Sequence, residues 1–341
     1  MKRRIYIADT GGTIGMRPGA RGYEPAPGYL AEQMAKMEVL KGPSMPEYEI
    51  HQYDPPMDSS SMNPSAWFDI AEDIAARHDD YDGFLVIHGT DTMAYTASAL
   101  PFMLEGLRKP VILTGGQIPL CEVRNDSREN LITAMLLAGR EDISEVCLFF
   151  NNRLFRGCRT TKWNASGFDA FDSPNFPPLG KTGIHIDIRH DLLLKPEKEN
   201  GPVIVHRLHD SPVAVLRLFP GISADVVKNL LAPPIKGLVL ETYGVGNAPD
   251  NDPKLMAVLK EATDRGVVVV NCTQCLKGRV LMGTYATGTG LLEAGVISGF
   301  DMTPEAALAK MFFLFSTRDD EDEIRTLMQT SMRGELSRKD S

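Results

Sequence analysis

Two threonine-bearing turns follow two apolar runs of strand length. Thr10-Gly11-Gly12-Thr13-Ile14 comes one residue after Ile5-Tyr6-Ile7-Ala8, and His88-Gly89-Thr90-Asp91-Thr92 directly after Phe84-Leu85-Val86-Ile87. In an open parallel sheet, ligands bind outside the carboxyl ends of the strands. Hydroxyls placed there, beside glycines that let backbone N–H groups approach a substrate, suit covalent attack on a carbonyl. A threonine nucleophile is the chemistry these turns suggest. Each turn also has a plainer reading. Gly11-Gly12 could be a tight strand-to-helix connection, and Asp91 or Thr92 could cap a helix. His88 is expected to pack and hydrogen-bond beneath its turn rather than act as a base. The first turn lacks the lysine of a phosphate-binding loop and the spacing of a dinucleotide fingerprint.

The elements that must position these turns follow an alternation of strand-length apolar runs and helix-period segments, the mark of βαβ units. Strands are expected near Arg4–Ala8, Asp82–Ile87, Val111–Thr114 and Val146–Phe150. Asn63-Pro64 opens a helix toward His78, the asparagine capping and the proline fitting the first turn. A helix from Thr92 to Leu104 should be kinked or divided at Pro101. Another is expected from Arg128 to Ala138. Residues 175–212, rich in proline, glycine and charge, read as a linker or long excursion. Beyond them the rhythm resumes with strands at Ala214–Phe219, Gly237–Thr242 and Val267–Asn271 and helices at 223–231, 253–265, 303–315 and 320–332; the tail after Arg333 is expected to fray. The fold class is α/β with two domains: a larger N-terminal one with a mostly parallel sheet (1–190), a linker (191–212) and a smaller parallel C-terminal one (213–341).

The 341 residues exceed one usual hydrophobic core, and 43% hydrophobic with 24% charged residues is an ordinary globular balance. A formal net charge of −9 argues against nucleic acid and anionic membranes as partners. No run of about 18 apolar residues occurs, so no membrane span is expected. No signal-peptide pattern follows Met1-Lys2-Arg3-Arg4, and five cysteines is an odd count for a disulfide framework, so a reduced, cytoplasmic chain is expected. Cys272 and Cys275 form an isolated C-x-x-C without the two further ligands zinc requires. No metal or cofactor is expected. His185, His190, His206 and His209 read as surface or capping residues.

The two turns together resemble the paired signatures of the bacterial-type L-asparaginase family. Met57-Asp58-Ser59-Ser60, Arg159-Thr160-Thr161-Lys162 and Tyr243-Gly244-Val245-Gly246-Asn247-Ala248-Pro249 are similar to its cytoplasmic type I branch, as are Pro220-Gly221-Ile222-Ser223-Ala224 and Arg333-Gly334-Glu335-Leu336. The motifs run in order nearly end to end. The resemblance implies hydrolysis of L-asparagine to L-aspartate and ammonia, with Thr13 as nucleophile and Tyr23, on a lid at 15–28, near its hydroxyl. It implies a second cluster of Thr90, Asp91 and Lys162 that relays a proton and activates water for deacylation. Asp58, Ser59, Ser60, Asp91 and Thr90 would grip the amino acid's charged ends, with Gly89-Thr90 and Gly116 as candidate oxyanion donors. Asn247 would complete a neighbouring subunit's pocket, so a homodimer or homotetramer is implied. Glu241, Thr273, Gln274 and Cys275 match a second, regulatory asparagine pocket of some type I enzymes. Glutamate at 241, where arginine is frequent, reverses the charge that would hold a carboxylate. Two other readings keep the fold: a non-catalytic amino-acid-binding protein, and a glutamine-directed enzyme, free or tRNA-linked. The acidic balance and the lack of an extra N-terminal domain disfavour the tRNA form.

Overall fold

Strand-length apolar runs with no polar alternation suit strands buried on both faces, and these form the centre of the first sheet. The computed structural model describes residues 2–20, 22–196, 201–283 and 289–337. The chain divides into units Met1–His206 and Arg207–Ser341. The first contains β1 (Arg4–Asp9), the hairpin β2 (Met16–Gly19) and β3 (Gly22–Pro25), α1 (Tyr29–Lys36), β4 (Glu47–Gln52), α2 (Pro64–Ala76), β5 (Gly83–Ile87), α3 (Met93–Met103), β6 (Leu104–Glu105), β7 (Val111–Thr114), α4 (Ser127–Ala138), β8 (Val146–Phe150), β9 (Arg153–Arg156), β10 (Thr161–Lys162), β11 (Phe171–Asp172), β12 (Gly180–Thr182), β13 (Ile186–Ile188) and β14 (Ile204–Val205). Eight strands make one sheet in the order β13-β12-β9-β8-β7-β5-β1-β4. The run from β8 to β4 is parallel, and β9, β12 and β13 join antiparallel. Ile5, Ile7, Leu85, Ile87 and Ile112 meet Leu30 and Met34 of α1 and Leu131 and Met135 of α4 in its core.

The second unit contains β15 (Val213–Arg217), α5 (Ala224–Leu230), β16 (Gly237–Thr242), α6 (Pro253–Asp264), β17 (Val268–Thr273), α7 (Thr289–Glu293), β18 (Ile297–Ser298), α8 (Pro304–Thr317) and α9 (Glu321–Met328). Its sheet is parallel throughout, in the order β15-β16-β17-β18. Its own core gathers Leu238, Leu240, Val269, Leu255 and Leu259.

The expected Asn63 cap is in place, its Oδ1 accepting from the Ala66 amide at 3.0 Å, and Ser223 caps α5, its Oγ accepting from the Val226 amide at 3.3 Å. Three features differ from expectation. Pro101 does not divide α3, which runs unbroken and almost wholly buried. Proline releases the Ala97 carbonyl from its helical partner, and the Gly157 backbone packs against that oxygen so closely that a Cβ there would overlap it. Residues 180–188, placed within an excursion, instead extend the large sheet as β12 and β13. The final helix stops at Met328, short of 332. Of the segments named as linker and tail, residues 197–200 and 338–341 lie outside the described residues.

Candidate active site

β1 and β5 are adjacent and parallel, in register from Ile5↔Gly83 to Asp9↔Ile87. Their following turns therefore emerge side by side. Thr10 fastens one to the other: its amide and its hydroxyl both donate to the Ile87 carbonyl, at 3.0 and 2.8 Å. Gly11 and Gly12 take φ of +108° and +95°, which disfavour any side chain. A Cβ on Gly12 would lie 2.6 Å from the Gly89 backbone, so the two turns touch. Thr13 opens the single helical turn 13–15 and is partly exposed.

Ser59 Oγ packs against Gly89, and the Ser59 carbonyl accepts from the Thr92 hydroxyl at 2.6 Å. The 58–60 turn is thereby laid onto the 89–92 turn. Within it Asp58 is an Asx cap, receiving the Ser60 amide at 2.9 Å and the Ser60 hydroxyl at 2.8 Å. Ser59 is buried, while Asp58 and Ser60 are exposed.

Lys162 is carried by the short antiparallel pair β10–β11. Its ammonium donates to Thr90 Oγ1 at 2.9 Å and to Asp91 Oδ1 at 2.8 Å. Thr90 is buried and Asp91 exposed. Lys162 thus bonds directly to both residues expected to act with it, although it lies 72 positions from Thr90.

A fourth member was not foreseen. Thr90 Oγ1 donates to Gln117 Oε1 at 3.0 Å. Gln117 Nε2 donates to the carbonyls of Ala165 and Gly167, at 3.3 and 3.2 Å, which fixes the amide oxygen toward Thr90. Asp126 holds this turn by accepting the amides of Gln117 and Ile118, each Oδ contact between 2.9 and 3.0 Å. The signal lay in Gly115-Gly116-Gln117 directly after β7, the third strand end on this side of the sheet. Gly116 itself is tightly packed: a side chain there would overlap Ser127.

His88 lies beneath its turn. Its Nδ1 faces the Gly89 carbonyl at 2.7 Å, and a carbonyl only accepts, so Nδ1 carries the proton. Nε2 then accepts from the Thr96 hydroxyl at 2.8 Å, and Thr96 Oγ1 accepts from Trp67 Nε1 at 3.0 Å. Complete burial pushes the imidazole down to about 4, so it is neutral near pH 7.

Tyr23 sits on the β2–β3 hairpin, half exposed, and its hydroxyl donates to Glu122 Oε1 at 2.8 Å rather than to Thr13. That carboxylate raises the phenol above its usual range. Of the expected lid, Arg21 lies outside the described residues.

Asn247, Glu241, Thr273, Gln274 and Cys275 lie in the second unit. Asn247 closes a turn, its amide and carbonyl bonded to Tyr243. Glu241 faces Arg217 at 3.6 Å, and burial raises its carboxyl above the ordinary value. Gln274 Nε2 donates to the carbonyls of Leu218 and Glu241, at 2.6 and 2.9 Å, and Thr273 Oγ1 accepts from the Cys275 amide at 3.0 Å. Cys272 is buried, its thiol pushed up to about 12 by desolvation, while Cys275 is exposed. Among the described residues no cluster of three or more His, Cys, Asp and Glu side chains could hold a metal, and no helix is long and apolar enough to cross a membrane.

Known proteins match the chain along both units. The family model "Asparaginase, N-terminal" matches residues 4–194, and "Glutaminase/Asparaginase C-terminal domain" matches residues 212–328. The chain is 56% identical to L-asparaginase 1 of Escherichia coli K12, over 99% of each chain. The crystal structure of L-asparaginase I from Vibrio cholerae superposes with a TM-score of 0.91 at 50% identity, covering 99% of this chain and 100% of that one. The thermostable L-asparaginase of Thermococcus kodakarensis gives 0.87 at 33% identity, covering 98% and 99%. With both halves matched and relatives aligned from end to end, the chain belongs to the asparaginase family.

Proposed function

We propose that this chain hydrolyses L-asparagine to L-aspartate and ammonia through an acyl-threonine on Thr13. The observation that carries the reading is the Lys162 ammonium, 2.9 Å from Thr90 Oγ1 and 2.8 Å from Asp91, beside the turn that bears Thr13. In the first step the Thr13 oxygen bonds to the side-chain carbonyl carbon, its proton passes to the leaving nitrogen, and ammonia departs. In the second, water attacks the ester carbon, gives its proton back to Thr13 and releases aspartate. Tyr23 assists the Thr13 proton once substrate draws the hairpin over the site, exchanging its bond to Glu122. A charged Lys162 stabilises negative charge developing at Thr90 Oγ1, which supports Thr90 as the group that aligns the water.

Asp91 receives the substrate ammonium, and Ser59, Ser60 and the amides of Gly89-Thr90 and Gly116 donate to its carboxylate and to the oxyanion. Asp58 anchors the serine turn. Asn247 completes the pocket of a second copy, so the active form is a homo-oligomer. The inward bonds of Gln274 and the negative charge of Glu241 weigh against a second asparagine site at 241 and 273–275. The odd cysteine count supports a cytoplasmic setting. Glutamine, one methylene longer, should be a poorer substrate by about 1–3 kcal/mol in kcat/KM. The test is Thr13→Ala: ammonia release falls to background while the circular-dichroism spectrum is unchanged. Retention of most turnover by the folded variant would refute the mechanism.

A further inference from the structure

Asp9 is a buried carboxyl group at the end of β1 that none of the chemistry above uses. Its Oδ1 accepts the Gly11 amide at 3.0 Å. The residues between Asp9 and Thr13 are held unequally. Thr10 is pinned by its bonds to Ile87 and by the Met57 amide, which donates to its carbonyl at 2.7 Å. Beyond it stand two successive glycines at positive φ, a residue type whose backbone is the least restrained. The Asp9 carboxylate supplies the hold on the first of them.

We propose that Asp9 is a positioning residue for the nucleophile: its ionised carboxylate, by binding the Gly11 amide, fixes the Gly11–Gly12 bend that presents Thr13, and protonation relaxes that bend. An ionised acceptor holds an amide about twice as strongly as a neutral one. The surroundings make this proton accessible near neutral pH. In register with Asp9 are Gln52 of β4 and Ile87 of β5, neither of them titratable. From α1, Leu30 and Met34 enter the core that Ile5 and Ile7 of β1 share, while Glu32 and Lys36 pair with each other at 2.5 Å. From α4 come Leu131 and Met135. Tyr53, whose amide donates to the Asp9 carbonyl, gives its hydroxyl to Asp73. Desolvation is thus opposed only by the Gly11 amide, and the carboxyl is pushed up to about 6.

The inference rests on Thr13 as nucleophile, and the experiment separates the two. kcat/KM for L-asparagine is measured from pH 5 to pH 8 for the unaltered protein, Asp9→Asn and Asp9→Ala, with Thr13→Ala alongside. The unaltered protein should lose about tenfold between pH 7 and pH 5 through one ionisation. The carboxamide of the Asp9→Asn variant keeps an acceptor for the Gly11 amide but has no proton to gain, so that tenfold step should shrink below about twofold. Asp9→Ala should lower kcat about tenfold at pH 7, more than it raises KM, and should converge with the unaltered protein toward pH 5. An Asp9→Asn variant that keeps the full acid step, or an Asp9→Ala variant with unaltered kcat, overturns the proposal. Either result together with an inactive Thr13→Ala leaves the nucleophile assignment standing.

Discussion

Thr90 Oγ1 has its hydrogen directed to Gln117 and its lone pair to Lys162. With that polarity Lys162 faces the oxygen as a donor, not as an acceptor of its proton. Gln117→Leu removes the acceptor and frees the hydroxyl to rotate. We expect kcat to fall about tenfold and stability by about 1 kcal/mol, the worth of one such bond; steady-state rates beside thermal melts check both. A kcat equal to that of the unaltered protein would show the amide to be a bystander. Two other buried groups bear on pH. Asp9 stands at about 6, above its unfolded value of 3.8. The folded chain therefore holds a proton the unfolded chain has released, and stability falls as pH rises from about 4 to 6. His88 stands at about 4, below 6.5. There the unfolded chain takes the proton first, and stability falls as pH drops from about 6.5 to 4. Each effect is worth ~3 kcal/mol, and they nearly cancel. Asp9→Asn should unmask His88: the variant becomes more stable than the parent at pH 7 by up to ~3 kcal/mol, with no gain at pH 4. Urea midpoints at both pH values decide it, and parallel pH dependences would sink it. The ionised Asp9 would then trade stability for a fixed Thr13 turn.

Gly12 and Gly89 show why these strand ends carry glycine. Gly12→Ala sets a Cβ 2.6 Å from backbone that cannot yield, at a φ of +95°. Strain and overlap together should cost more than about 2 kcal/mol and push Thr13 out of line; the expected result is a lower melting temperature and kcat down at least about a hundredfold. A variant with parental melting and turnover would mean the two turns need not touch. The central strands and their turns were legible in the sequence because strands buried on both faces leave continuous apolar runs. β4 was not. Its Glu47, Glu49 and His51 alternate with Tyr48 and Ile50, the mark of an edge strand with one covered face. The β2–β3 hairpin is short and polar, with no core face to reveal it. Pro101 stays inside α3 without dividing it because tertiary burial of the helix outweighs local propensity. Lys162 was legible through its motif alone, since a lone lysine carries no signal of a partner so far away. Gln117 and Asp9 were overlooked, although both sit at strand ends on the side already under suspicion.

At the scale of the whole chain, two sheets with no shared strand each enclose their own core. The Thr13 turn, the serine turn and the Lys162 cluster all belong to the first, and of the proposed site only Asn247 belongs to the second, so stability and chemistry should be separable by substitution away from Asn247 in the second. Glu335 offers the means. It is fully buried with Lys310, 2.5 Å away, and also accepts the amides of Met332 and Arg333, at 3.1 and 2.8 Å. Lys310 donates as well to the carbonyls of Met328 and Thr330, at 3.2 and 2.5 Å. The pair fastens the segment after α9 onto α8. Glu335→Gln keeps the shape and an acceptor but removes that countercharge from a buried ammonium, at a cost of about 3–5 kcal/mol. We expect heat inactivation at a clearly lower temperature, with hydrogen exchange accelerated first in α8 and α9. The initial rate of asparagine hydrolysis in the cold should stay within about twofold, because a few kcal/mol lost from a unit that stays folded need shift neither Asn247 nor the groups of the first unit. Exchange that accelerates equally in β1 and β5, or a rate lost in the cold, would show that the two cores stand or fall together.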